Sequence, residues 1–489
     1  MHVHLNVATI SRNFFLCYNE KKKMTKTNQK EVIILAHIQT QQEKYKMMIE
    51  SPIPGLVGRL AIPTIISMLI TSFYNMADTF FVGRIGTSAT AAVGVAFPIM
   101  AIMQAFGFFC GHGSGNSISR KLGAQKSDEA AELAATGFFG GLFLGVLLTI
   151  LGLLFLTPLA HILGSTETIL PYTKDYLGII LLGAPFMTSQ FVLNNQLRFQ
   201  GNAFYAMIGV TAGAILNIIL DPIFIFVFDM GISGAALATI LSQFVSFLIL
   251  LIGIRISDCI PIRFRNLTLS KERLQEIFSG GFPSLCRQGL ASIATMTLNI
   301  GANPYGDAAI AAMSVVGRIS MFAGSALIGF GQGFQPVCGF NYGAKKYHRV
   351  QEAFWFCVKV STVALFAISI LGFALSGSLI GIFRDDPEVI RIGTLALRFQ
   401  CLTFTLNGWI VFNNMMMQTI GKTVYASILA SARQGLFLIP AILILPHFYG
   451  LLGIQAAQAL ADVLTVILTT ILYRFVIKDL QKEEQADAL

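Results

Sequence analysis

The chain has 489 residues, of which 54% are hydrophobic and only 12% charged, with a formal net charge of +9 and a mean hydropathy of +0.68. A soluble globule with that balance has too few charges to cover its surface, which excludes the soluble enzyme and nucleic-acid-binding classes. Apolar runs recur along nearly the whole length, many reaching the ~20 residues that cross a hydrocarbon core, so the chain reads as a polytopic membrane protein.

The first stretch differs from the rest. Residues 1–51 are polar and lysine-rich, and no apolar run follows the basic cluster "KKK" at 21–23 as a secretory signal requires. This extension is expected to be disordered, with Met47 or Met48 a natural start.

Twelve helical spans follow, beginning near Leu56, Ser88, Glu129, Thr168, Asn202, Ile232, Glu272, Gly306, Val350, Pro387, Lys422 and Leu451. Several exceed a minimal crossing and are expected to tilt or to extend into water. Basic residues gather after the second span (Arg120, Lys121, Lys126) and after the sixth (Arg255, Arg263, Arg265, Lys271, Arg273). They recur after the eighth (Lys345, Lys346, Arg349) and at the end (Arg474, Lys478, Lys482). Basic loops mark the cytoplasmic face, so both termini are expected there. The seven cysteines, at 17, 110, 259, 286, 338, 357 and 401, are never paired as C-x-x-C and read as apolar filler.

The chain repeats itself. At a shift of 220 residues Pro63 falls on Pro283, Ser72 on Ser292, Met76 on Met296 and Gly86 on Gly306. "GAQK" (123–126) meets "GAKK" (343–346), and Asn194, Gly201 and Tyr205 meet Asn414, Gly421 and Tyr425 without a gap. Six spans per repeat is an even number, so both halves enter the membrane in the same direction. The expected fold is therefore all-α, with twelve transmembrane helices in two parallel-repeat six-helix lobes around a central cavity. Its parts are a first lobe at 52–255, a linker at 256–271, a second lobe at 272–478 and a tail at 479–489. Rocking of such bundles about a central site is a transporter plan.

Carboxylates inside the spans are few: Asp78 in the first, Asp221 in the fifth and Asp462 in the twelfth. A charge at bilayer depth costs about 3 kcal/mol or more, so such groups face a cavity or a partner. Asn217 and Asp221 are four apart and share a helix face, as do Tyr74 and Asp78. Asn194 and Asn195 end the fourth span, and Pro222 frees the carbonyl of Ile218. These hard oxygens suit Na+, or a proton shared between two acids. At the 220-residue shift Asp78, Asn217 and Asp221 meet Leu298, Phe437 and Ala441. Asp78 and Asp221 thus have no counterpart in the second lobe, and the first is read as the cation-coupling lobe.

The second lobe offers Arg287, Gln288, Arg433 and Asp462, and a buried arginine needs a counter-charge. Asp462 is expected to form a structural ion pair with Arg287 or Arg433. Arg287 and Gln288, with Met415 and Met416 of "NNMMMQ", are candidate substrate-cavity residues, methionine being soft and adaptable. "GHGSGN" (111–116) lacks the G-K-[ST] ending of a phosphate loop, and no metal-ligand spacing or nucleophile elbow occurs. Neither an enzyme nor a cofactor is expected.

The stretches "IPTIISMLITSFYNMADTFFVGRIGTSATAAVGVAFPI", G-x-G-S-G-N-S-I-S-R-K-L-G and "NIILDPIFIF" together resemble the MATE (multidrug and toxic compound extrusion) family, and within it the bacterial DinF and MepA-like branches. The resemblance spans about residues 52–478. It implies twelve helices in two lobes and export of mostly cationic organic compounds in exchange for H+ or Na+. It also implies a first-lobe cation site at Tyr74, Asp78, Asn217 and Asp221, with Asn194 or Asn195 as the fourth-helix amide. Where some branches carry second-lobe acids, this chain has Arg287 and Arg433. The expected partners are small organic substrates and membrane lipids, with no nucleic acid, in a monomer in the bacterial inner membrane. The rival readings are a lipid-linked oligosaccharide flippase of the wider superfamily and a non-transporting scaffold.

Overall fold

The structure, a computed structural model, describes residues 41–488, so the expectation for residues 1–40 lies outside it. Among the described residues every regular element is helical. The first lobe holds α1 (Ile53–Gly83), α2 (Thr87–Gly123), α3 (Ser127–Leu154), α4 (Leu170–Phe199), α5 (Ala203–Val227) and α6 (Gly231–Ile256). The second holds α7 (Lys271–Ala302), α8 (Asp307–Gly343), α9 (Tyr347–Ala374), α10 (Pro387–Phe404 with Asn407–Thr419), α11 (Thr423–Tyr449) and α12 (Leu451–Ala488). Each helix begins within three residues of the position read from the sequence.

Ten of these helices are long and apolar enough to cross a membrane unbroken, and α10 crosses as a pair bent by 55°. Helix α7 has 32 residues, about 48 Å at 1.5 Å per residue. It is less apolar because Lys271, Glu272, Arg273 and Glu276 crowd its first turns. The residues expected as a tail, 479–488, instead continue α12. Its last turns are tied down by Tyr342 donating to Glu483 at 2.9 Å and Tyr347 donating to Asp487 at 2.9 Å.

The repeat is built into the backbone. Gly201 and Gly421 both take left-handed φ values, +80° and +87°, at the turn before the fifth helix of each lobe. Short helices, Leu156–Ile162 and Ser376–Phe383, follow the third helix of each lobe. The Asn194 amide donates to the Ala206 carbonyl at 3.2 Å, and its equivalent Asn414 to Ala426 at 2.7 Å.

The lobes meet through α1 on α8 and α2 on α7. Thr64 donates to the Gly329 carbonyl at 2.6 Å, and its repeat equivalent Ser284 lies 3.0 Å from His112 Nδ1. Ser72 and Ser325 hydroxyls stand 2.7 Å apart. Glycines permit this closeness: a Cβ on Gly123 would strike the Phe340 carbonyl, and one on the equivalent Gly343 the Arg120 carbonyl. At the same end Arg273, 10% exposed, binds Glu132 at 2.9 Å, Glu276 at 3.0 Å and Glu129 at 3.1 Å, while Lys121 binds Glu129 at 2.6 Å. These contacts lie beside the basic loops. Gln104–Gln288 and Phe73–Phe322 add further contacts between the lobes. The ion pairs that join the lobes among the described residues lie at the basic end, which forms a firmly joined floor between them.

Gly343→Val places a branched side chain against the Arg120 carbonyl, and packed interiors do not absorb such a clash. The floor should fail to close, and efflux should fall at least about tenfold at normal membrane abundance. Undiminished efflux by this variant would show that the close approach is dispensable.

Candidate functional site

In α5, Asn217 and Asp221 are fully buried, at 1% and 0% exposure. Asn217 Nδ2 donates to Asp221 Oδ1 at 3.3 Å, across one helical turn, and lies 3.5 Å from Thr239 Oγ1 of α6. Pro222 has no N–H to continue the ladder, and the helix widens at once into a π-turn over Ile223–Val227. Phe228 N–H reaches five residues back, to Ile223 at 2.9 Å. Gly234 lets α6 press against this turn, since a Cβ there would meet the Phe224 carbonyl. The widened turn and the glycine together bring the α6 polar pair Thr239 and Gln243 alongside α5.

Helix α1 completes the cluster. Tyr74 shares a hydrogen bond with Gln243, and the Asp78 and Asp221 charges both reach its hydroxyl and each other. The same two carboxylates also act on buried Tyr176 of α4. Three buried oxygens, Asp78 Oδ1, Asn217 Oδ1 and Asp221 Oδ2, have no hydrogen-bond partner in the protein. Two anions and an amide oxygen, unsatisfied and held by α1 and α5, form a receptor for positive charge. Among the described residues no three His, Cys, Asp or Glu side chains gather as metal ligands.

The structure brings Tyr74, Asp78, Asn217 and Asp221 together, but not Asn194 or Asn195. Asn194 holds the α5 backbone, as Asn414 does in the lobe with no counterpart of Asp78 or Asp221, so its role is architectural. Asn195 donates to the Phe191 carbonyl at 2.6 Å and accepts from Arg198. Reading the sequence missed Gln243, Thr239 and Tyr176. Thr239 and Gln243 are four apart in a predominantly apolar α6, and that was their visible signal.

In the second lobe Asp462, 2% exposed, accepts from Arg433 Nε at 2.8 Å and Gln458 Nε2 at 3.0 Å. It also accepts from Thr403 Oγ1 at 3.3 Å and Asn407 Nδ2 at 3.5 Å. Arg433 sits in a second π-turn, Ala432–Leu438. Arg287 takes no part in this pair and makes no ion pair among the described residues. Gln288 donates to Gln104 Oε1 of α2 at 3.1 Å, at the lobe boundary. Met415 and Met416 do not line the cleft: they are 3% and 0% exposed. Met415 sulfur fills the space that Gly331 leaves open, the commoner use of methionine.

Two six-helix lobes related by an internal repeat, with uncompensated carboxylates inside one lobe, form a membrane transporter rather than a channel or an enzyme. The MatE family profile matches residues 63–223 and 283–444, both repeats in turn. The multidrug export protein MepA of Staphylococcus saprophyticus is 30% identical over 431 residues, covering 88% of this chain and 95% of its own. The MepA of Staphylococcus aureus is 29% identical, covering 86% and 93%. An outward-facing crystal structure of a multidrug resistance MATE family transporter of the MOP superfamily superposes with a TM-score of 0.84 at 27% identity, covering 89% of this chain and 98% of that one. The chain belongs to the MATE family, whose members are transporters and not enzymes.

Proposed function

We propose that the protein exports amphipathic, mostly cationic organic compounds from a bacterial cell in exchange for a monovalent cation, H+ or Na+. The observation that carries this reading is the buried Asp78, Asn217 and Asp221 cluster, whose oxygens are unsatisfied inside a family of multidrug exporters. The even-numbered connections and both termini are cytoplasmic, which puts the ion pairs that join the lobes on the inner side, as in an outward-facing state. A cation entering the cluster cancels the repulsion between the carboxylates and lets α1 move against α5. Pro63 in α1 and the Pro222 π-turn in α5 are where helical geometry yields. That movement narrows the cleft from the first-lobe side and releases substrate outward. Cation and drug are then mutual antagonists, each lowering the other's affinity by the same factor.

Ethidium efflux from cells, under separately imposed H+ and Na+ gradients, identifies the driving ion. On purified protein the same ion at saturation should weaken ethidium binding severalfold. Unchanged affinity would rule out the antiport reading, whereas capture of a lipid-linked sugar without dye efflux would favour a flippase.

A further inference from the structure

The second lobe holds a cavity of about 230 Å³ between α8, α9 and the first half of α10. All of its lining residues belong to that lobe, so it is separate from the cation cluster. Small residues open it: Ser320 and Ala323 on α8, and Gly372 on α9, where a Cβ would stand 2.9 Å from Cys401 Sγ. Polar side chains in its wall pair with one another or with α10. Ser320 donates to Gln400, and the Ser369 and Thr405 hydroxyls lie 3.4 Å apart. What remains is an apolar trough. Along α9 it runs from Leu375 to Ile368, seven residues or about 10 Å. Leu371 and Leu375 stand on its lip at 61% and 51% exposure, which suits a surface bathed in hydrocarbon rather than water.

Arg398 of α10 stands at the rim. Its guanidinium lies 5.2 Å from the centre of the Phe373 ring, and Nε donates to Ser376 Oγ at 3.1 Å. Phe373 and Ser376 directly follow Gly372 and Leu375 of the trough. Helix α9 starts beside the basic residues 345–349, spans the membrane and ends at Ala374, so Arg398 docks at head-group depth. It is exposed and makes no ion pair among the described residues. The only acid on α10, Glu388, is ten residues or about 15 Å along the helix and pairs with Arg391 at 3.6 Å. Asp462 of the same lobe is taken by Arg433.

We propose that this trough binds one anionic phospholipid, with an acyl chain lying along α9 and the phosphate held by Arg398. A guanidinium fork matches a phosphate through paired hydrogen bonds, and basic pockets between membrane helices hold anionic head groups. An unfilled trough forfeits packing contacts, which a flexible methylene chain restores. Any lipid tail could do that; the arginine at the rim favours the lipid with net negative charge. The trough reaches Phe404, the last residue before the α10 bend, so its occupant also braces that bend. The site stands whether or not the exporter reading above does.

Purified full-length protein, stripped of lipid in detergent, is titrated with dioleoyl phosphatidylglycerol or dioleoyl phosphatidylcholine, and lipid adducts are counted by native mass spectrometry. The two lipids share their acyl chains and differ in head-group charge. Phosphatidylglycerol also meets the basic loops at the other end, so the readout is the difference between variants. The unaltered chain should hold one phosphatidylglycerol that Arg398→Gln binds at least about fivefold more weakly, while both proteins bind phosphatidylcholine equally. Arg398→Lys, which keeps the charge, should retain most of the preference. Ala323→Phe, which fills the trough, should weaken that same adduct, and ethidium should not displace it. Identical phosphatidylglycerol binding by the unaltered chain and Arg398→Gln, equal weakening of both lipids in that variant, or full binding by Ala323→Phe overturns the site. Displacement by ethidium would make the trough a place for cargo and overturns it as well.

Discussion

Asp221→Asn should reduce gradient-driven efflux to the level of cells lacking the protein, while the variant remains folded and inserted. Asparagine keeps the size of the side chain and an oxygen for the Asn217 amide, so the 3.3 Å contact across the turn survives. What it removes is the only carboxylate on α5, and coupling requires a group there that takes up and releases charge. Because Asp221 is buried with one oxygen unsatisfied, loss of its charge should leave thermal stability equal or higher. Asp78→Asn should produce the same loss of efflux. The double variant should be no worse than either single one, since the two carboxylates act as a unit. Equal Tm values alongside retained, gradient-dependent efflux in Asp221→Asn would remove the cluster from the coupling mechanism.

Much of this arrangement was legible in the residues, and its limits have physical causes. Helix starts were readable because long apolar runs punctuated by glycine and basic loops leave little freedom for register. The pairing of Asn217 with Asp221 followed from the four-residue helical spacing alone. Contacts between helices were another matter. Asn194 looked like a ligand because it is an amide near the lobe's polar residues, yet a side-chain amide satisfies a backbone carbonyl as readily as an ion. The 220-residue repeat already held the correction: Asn414 is present in the lobe that has no counterpart of Asp78 or Asp221, so the asparagine belongs to the scaffold. Met415 and Met416 misled for a similar reason, since flexible apolar side chains suit a cavity wall and a glycine-lined core equally well. The bend in α10 and the π-turns in α5 and α11 were not visible. The α10 bend and the α11 π-turn carry side chains that meet Asp462 of α12, which no single span encodes, and the α5 π-turn follows Pro222, a residue that permits several irregular geometries.

Asp462 sits at such a break, and its removal should be among the most damaging changes outside the cation cluster. Its four donors come from three helices: Thr403 and Asn407 on either side of the α10 bend, Arg433 in the α11 π-turn, and Gln458 of α12 itself. The carboxylate therefore holds two irregular stretches of backbone in place as well as neutralising an arginine. Asp462→Ala leaves the Arg433 charge and three other donors without an acceptor, a loss of about 3–5 kcal/mol for a fully buried pair. The Arg433 side chain is 30% exposed, and water reaching its guanidinium places the effect near the lower end, about 3 kcal/mol. Asp462→Asn keeps an acceptor for the neutral donors and should cost less, about 1–2 kcal/mol. Combining Asp462→Asn with Arg433→Gln replaces the ion pair by two neutral groups that still hydrogen-bond. It should recover part of the loss, giving a coupling energy of about 1 kcal/mol or more in a double-mutant cycle. Thermal unfolding in detergent at neutral pH measures all four proteins. If Asp462→Ala unfolds at the temperature of the unaltered chain, the carboxylate does not hold the α10 bend and the α11 π-turn together.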